Sequence, residues 1–264
     1  MEVNLDFLQL DNEFSTRIVN VDRDQDGDRF FAGFGAKSNL YFADEALSKK
    51  LIENQLPDSE KFFLETKYLV SGTIILSSPK SAETIFFLLE QAKKFEVEVI
   101  IDLNWREVFW DYSFFSSEIS KTQRVNLIKK FLNHAHVLKL AKEEATLFFE
   151  YQNPLLISKQ LSKRPDVIIT DGKNPITWYI NGLQGTPETP DSAKIVDTTG
   201  AGDAFLAGLI SKFISSGYPS NNLEIDNCIK FANVCGLLTC LGEGAIEHQP
   251  DYEKVNEFLG SLIS

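Results

Sequence analysis

From Lys67 onward the chain alternates between short apolar runs and segments of helical period, the pattern of repeated βαβ units. Residues 68–72 (Tyr-Leu-Val-Ser-Gly) read as a buried strand, and Pro79 opens a helix running to about Phe95. Residues 97–102 form the next strand, followed by a helix from about Lys121 to Asn133 and a strand over 137–140. Short helices are expected near Lys142 and near Leu156. Residues 166–170 and 176–180 read as strands joined by the turn Gly172-Lys-Asn-Pro175, and helices fill most of the chain after Ala201. Such alternation implies an α/β fold with a mainly parallel sheet covered on both faces, whose ligands sit at the C-terminal ends of the strands. Asp102, Thr170 and Asp197 fall at or just beyond such ends. Ahead of this region, residues 16–21 and 29–34 flank the polar turn 22–28 in a hairpin pattern.

Residues 197–205, Asp-Thr-Thr-Gly-Ala-Gly-Asp-Ala-Phe, carry the chemistry. Phe205, Leu206, Leu209, Ile210 and Phe213 repeat at helical spacing, so Gly200, Ala201 and Gly202 stand at a helix N-terminus. Free backbone N–H groups and the positive end of the helix dipole make such a place an anion site, phosphate above all. Asp203 is then anomalous, because a carboxylate repels phosphate. Its presence makes sense if it takes the proton from a hydroxyl that attacks phosphorus. The inference is phosphoryl transfer from a nucleotide to an alcohol.

This segment resembles the second signature of the PfkB (ribokinase-like) carbohydrate kinases. The resemblance implies a ribokinase-like three-layer α/β fold with a small β lid, the hairpin of residues 14–36, over the sugar. It implies Asp203 as catalytic base and the Gly200, Ala201 and Gly202 amides as anion hole, with Asp197 and Thr199 on the nucleotide side. Thr170-Asp-Gly172 resembles the family's Thr-x-Gly, which lies along the nucleotide. Asn233 and the segment containing Gly244 resemble the border of the adenine site and, in some members, of a monovalent cation such as K+. Residues 102–110, Asp-Leu-Asn-Trp-Arg-Glu-Val-Phe-Trp, are similar to a segment of fructokinases and 2-keto-3-deoxygluconate kinases. That similarity places Asn104 and Arg106 on the phosphoryl or substrate side, where a guanidinium fork suits oxygen anions. Trp105 and Trp110 are read as packing residues.

The chain also departs from the family pattern. The Asn-x-x-Glu motif falls on 141–144, Ala-Lys-Glu-Glu: Glu144 is retained and would orient Mg2+ through its waters, while the Asn amide is replaced by Ala141. The opening residues align with material well after the family's first strand and its Gly-Gly…Asn sugar contact. At least one βαβ unit, on the order of 30 residues, is therefore expected to be missing. Residues 1–264 are read as one such kinase domain, incomplete at its N-terminus, or as a chain whose Met1 is an internal start.

Bulk properties narrow the partners. A net charge of −12 argues against a nucleic-acid or anionic-membrane surface, and a hydrophobic fraction of 43% supports a large core. Cys228, Cys235 and Cys240 lack metal-site spacing and are read as reduced core thiols. Without a basic N-terminus or a run of spanning length, a soluble cytoplasmic protein is expected. Asp22, Asp24, Asp26 and Gly27 match the start of a calcium loop, but its eighth position is Arg29 and its twelfth Gly33, so a solvated acidic turn is the better reading. The expectation is an ATP- and Mg2+-dependent sugar kinase that acts on a small-molecule sugar and forms a homodimer contact through the lid. The alternatives are a non-catalytic member kept for binding or assembly and, among enzymes, a nucleoside kinase.

Overall fold

The computed structural model describes residues 3–23, 29–34, 42–55, 59–111, 120–187, 190 and 195–262. They fall into two compact units, Met1–His136 and Val137–Ser264.

In the first unit, β1 (Val19–Arg23) and β2 (Arg29–Phe34) pair antiparallel with a bulge between Asn20 and Val21. The expected strand at residue 16 thus begins at Val19. Arg17 is drawn elsewhere: its guanidinium forks onto the Asp44 carboxylate at 2.9–3.2 Å, meets Glu45 Oε1 at 2.9 Å, and lies 4.2 Å from the centre of the Phe42 ring. The acidic turn at 24–28 lies outside the described residues.

A 3₁₀ turn (Ala43–Ala46), α1 (Lys49–Gln55) and α2 (Ser59–Glu65) follow. The parallel strands β3 (Tyr68–Gly72) and β4 (Glu98–Asp102) are linked by α3 (Pro79–Lys94), with Gly72 opposite Asp102. Ser78, Ser81 and Thr84 of the α3 N-terminal region donate to the carbonyls of Glu45, Asp44 and Leu47 at 2.6–2.9 Å, which pins the preceding segment to the helix. The helix stops at Phe95, and Glu96 takes a left-handed φ of 57° before the chain re-enters the sheet. β4 is buried as expected. β3 is only half-buried, and its Val70 is 44% exposed, a correction to the buried strand expected from its apolar composition. The short α4 (Glu107–Asp111) and α5 (Lys121–Leu132) complete the unit; α5 starts with a capping box between Ser120 and Gln123.

In the second unit, β5 (Val137–Ala141) lies parallel to β6 (Asp166–Asp171), connected through α6 (Lys142–Phe149) and α7 (Pro154–Gln160). Asn153 caps α7 by accepting from Leu156 N–H at 3.1 Å, with Pro154 in its first turn. β7 (Asn174–Ile180) and β8 (Leu183–Gly185) extend this sheet antiparallel. The turn between them is Asn181-Gly182, both at positive φ (50° and 79°), the geometry a tight hairpin demands. Long helices α8 (Ala201–Ser216) and α9 (Asn222–Thr239) then pass each other at glycines: a methyl on Gly208 would stand 2.6 Å from Cys235 Sγ, and one on Gly236 2.9 Å from the Ala201 carbonyl. α10 (Tyr252–Ser261) closes over them with Val255 among Ala204, Phe231, Val234 and Cys235. All three cysteines are buried and free, and burial pushes the Cys235 thiol up to about 11, as inert core thiols require. Among the described residues no helix is long and apolar enough to cross a membrane.

Candidate active site

The second unit assembles the 197–205 segment into a sharp turn feeding α8. Gly200 is the N-cap and sits in the left-handed region at φ 78°, ψ −4°. A methyl there would meet Ala245 Cβ and carbonyl oxygen at 2.9 Å, so glycine is required by both conformation and space. The Gly200 carbonyl accepts the first helical bond, from Ala204 N–H at 2.8 Å. The amides ahead of it belong to the first turn, where the helix supplies no acceptor. Ala201 N–H makes only a long contact of 3.4 Å, to the Thr198 carbonyl. Asp203 stands on this first turn with its side chain exposed. An open carboxylate one residue beyond unsaturated amides can take a proton from a group bound against those amides.

Asp197 holds the turn in place. Its Oδ1 accepts from both N–H and Oγ1 of Thr199 at 2.7 Å, and its Oδ2 accepts from Gly244 N–H at 3.1 Å. The carboxylate is buried, and backbone bonds from Val196 and Asp197 N–H to the Cys240 carbonyl fasten the same loop to the end of α9. Asp197, Thr199 and Gly244, each expected near the nucleotide, are thereby brought together as one clamp. Gly244 itself sits at φ 87°. Asn233 lies half-buried on α9, in the same unit.

At the C-terminal ends of the parallel pair, Ala141 of β5 is opposite Thr170 of β6. Gly172 turns the chain at φ 54° into β7. Glu144 is buried, and its Oε2 accepts from Ala141 N–H at 2.8 Å, closing the start of α6. Beside it Lys142 Nζ meets Asp171 Oδ2 at 2.7 Å; the pairing raises the Lys142 ammonium above its ordinary value and lowers the Asp171 carboxyl below its own. Sequence reasoning passed over Lys142, although its place next to the substituted Ala141 is a visible cue. It also passed over Lys139, a lysine in the otherwise apolar run Val-Leu-Lys-Leu, which the structure buries against Gly202.

Asn104 and Arg106 belong to the first unit. Asn104 follows β4 at a left-handed φ of 40°, and the buried Thr73 hydroxyl donates to the adjacent Leu103 carbonyl at 2.6 Å. Arg106 is exposed, with Nη1 donating to the Trp105 carbonyl at 2.9 Å. Trp110 is buried, and its ring lies 5.4 Å from that of Trp105, the packing role expected.

A model of the pfkB family carbohydrate kinases matches residues 1–251. A fructokinase of Salmonella typhimurium is 27% identical over 259 residues, covering 97% of this chain and 77% of that protein. Among solved structures, the ATP-bound fructokinase of Xylella fastidiosa superimposes with a TM-score of 0.79 at 21% identity, over 96% of this chain and 76% of that one. The fructokinase of Vibrio cholerae O395, bound to fructose, ADP and calcium, gives a TM-score of 0.70 at 25% identity, over 93% and 73%. The ribokinase-like α/β fold is shared with these structures. With the glycine turn, Asp203 and the family match over nearly its whole length, the chain belongs to the pfkB family of carbohydrate kinases.

Proposed function

We propose that this chain is an ATP-dependent, fructokinase-like sugar kinase in which Asp203 is the general base. The observation that carries this is the exposed Asp203 carboxylate in the first turn of α8, directly after a glycine turn whose free amides suit an anion. Asp203 accepts the proton of a sugar hydroxyl as that oxygen attacks the terminal phosphorus, while the Gly200, Ala201 and Gly202 amides hold charge developing on the phosphoryl oxygens. Bound ATP supplies that phosphoryl group, and Mg2+ would shield its charge. Among the described residues no group of three or more acidic, His or Cys side chains could cage a metal. That fits an ion carried by phosphates and water, with Glu144 reaching only its water shell. Thr170 and Gly172 are assigned to the nucleotide side within the second unit, and Asn104 and Arg106 of the first unit keep the phosphoryl or substrate role that their segment implies. Similarity to fructokinases, one of them solved with fructose bound, supports a ketohexose acceptor. The β1–β2 hairpin is assigned as sugar lid and dimer contact.

The test is coupled ADP release against a panel of sugars, with fructose first, and with Asp203→Asn in parallel. Turnover on a sugar is expected from the native chain and a loss of at least about a thousandfold from the variant, with nucleotide binding retained. Asp203→Asn turnover within tenfold of native would remove Asp203 as base. An absence of turnover on every sugar, with ATP bound, would favour the non-catalytic reading.

A further inference from the structure

The turn at Thr170–Gly172 is loosely held by its own strands. β6 and β7 pair Ile169 with Thr177 and then Asp171 with Asn174, so the ladder slips between Ile169 and Asp171. Pro175, within the slipped stretch, has no N–H to donate. The Thr170 hydroxyl donates to the Leu140 carbonyl of β5 only at 3.5 Å, and Gly172 brings no side chain that could fix the turn. The short contact across this gap runs from Lys142 Nζ to Asp171 Oδ2, at 2.7 Å. Lys142 is otherwise badly placed for a cation. It is the first residue of α6, at the positive end of the helix dipole, where Glu143 and Glu144 are the favoured charges. Ala141, the N-cap before it, makes no side-chain bond. Because Ala141 stands opposite Thr170, a lysine one residue past Ala141 faces the residue one past Thr170. A charge that disfavours its own helix and secures the neighbouring strand end has its reason in that turn.

We propose that Lys142 is a positioning residue for the nucleotide: by holding Asp171 it fixes the Thr170–Gly172 turn against the end of β5 and cancels the carboxylate charge that the turn carries. This rests on the kinase reading, which assigns Thr170 and Gly172 to the nucleotide side, and it adds two residues to which that reading gives no task. Released from Lys142, the Asp171 carboxylate would repel an anionic polyphosphate, and the turn would lose its tie to α6. Both effects weaken nucleotide binding.

Calorimetric titration of ADP into native chain, Lys142→Met, Lys142→Arg, Asp171→Ala and the Met/Ala double variant tests this, at low and at high ionic strength. At low salt Lys142→Met should weaken ADP about fivefold, the size of a coupling between neighbouring charges. Asp171→Ala cuts the same tie but leaves no carboxylate behind, so its loss should be about twofold. The double variant should match Asp171→Ala alone, and Lys142→Arg, which keeps a cation within reach of Asp171, should bind ADP as the native chain does. At high salt the loss in Lys142→Met, relative to native, should shrink to that of Asp171→Ala, because screening removes the repulsion and leaves only the lost tie. A lysine that served the fold alone would give losses independent of salt. The Lys142 side chain is 40% exposed, so the variants should fold, which their Tm checks. Native ADP affinity in folded Lys142→Met would overturn the proposal, and so would losses that add in the double variant or ignore salt. Sugar turnover is measured alongside, where Lys142→Met should raise KM for ATP by the same factor and leave KM for the sugar unchanged. Lys142-dependent ADP binding without turnover on any sugar would keep the positioning role and remove the sugar-kinase reading. Sugar turnover with ADP affinity and ATP KM unchanged in Lys142→Met would do the reverse. A native chain that binds no nucleotide would remove both.

Discussion

Replacing Gly200 with alanine separates two costs that a single glycine avoids, and Gly182 provides the control. The two residues share a left-handed φ, 78° and 79°, and lie in the same unit. Placing an L side chain there costs about 1–2 kcal/mol. At Gly182 a methyl meets nothing within 4 Å, so Gly182→Ala should report that backbone cost alone. At Gly200 the methyl also meets Ala245 Cβ and O at 2.9 Å and Cα at 3.0 Å. Two of these three atoms are backbone and cannot swing aside, so overpacking adds about 1–3 kcal/mol. The expected totals are about 1–2 kcal/mol for Gly182→Ala and about 2–5 kcal/mol for Gly200→Ala. With roughly 2–4 °C of Tm per kcal/mol in a chain of this size, the first should fall by about 2–8 °C and the second by about 4–20 °C. Scanning calorimetry on both variants measures the difference. Gly200→Ala should also disturb the adjacent Gly244–Asp197 bond and with it triphosphate binding, whereas Gly182→Ala should leave binding unchanged. Equal destabilisation by the two variants would refute the claim that Ala245 closes over Gly200.

Two further outcomes follow from the half-buried carboxylate of Asp166 and the buried one of Asp197. Burial raises the Asp166 carboxyl above its ordinary value, against the opposing effect of bonds donated by the Tyr218 hydroxyl and by Asn181 N–H. A folded state that holds this proton more tightly than the unfolded chain loses stability as pH rises from the ordinary carboxylate range through the raised value. In Asp166→Asn that part of the decline should vanish from the Tm-versus-pH curve; a native-like slope in the variant would contradict it. Asp197→Ala removes the acceptor of three donors, Thr199 N–H, Thr199 Oγ1 and Gly244 N–H. Partial access of water to these groups limits the loss to about 2–4 kcal/mol. Urea titration should show it, with Asp197→Asn milder, and an unchanged midpoint in Asp197→Ala would deny Asp197 its clamping role.

The strands and helices that were legible in the sequence are those whose own residues decide them. The runs that became β4, β5 and β6 are apolar enough to demand burial, and Pro79 marks the start of α3 without help from elsewhere. β8 was legible too but went unread, since Asn181-Gly182 after an aromatic strand is a strong hairpin signal. The segment from Ala43 to Glu65 was not legible. Its 3₁₀ turn depends on hydroxyls of Ser78 and Ser81, more than thirty residues away, and Arg17 left its expected strand for carboxylates at 44 and 45.

The candidate site shows the same division within one short segment. Gly200 and Gly202 are indistinguishable as letters, yet one is required by a left-handed φ and by Ala245, the other by the room Lys139 takes. Asp197 and Asp203 are likewise both aspartates bracketing the turn, but one carboxylate is saturated by Thr199 and Gly244 while the other is exposed. A residue whose bonding capacity is spent on the fold positions the site, and one left open at a helix N-terminus is available for chemistry. The partners that make this distinction, Gly244 and Ala245 on one side and Lys139 on the other, lie tens of residues away in both directions. Spacing within the segment could therefore locate the anion site, and only the packing around it assigns the separate tasks of its glycines and aspartates.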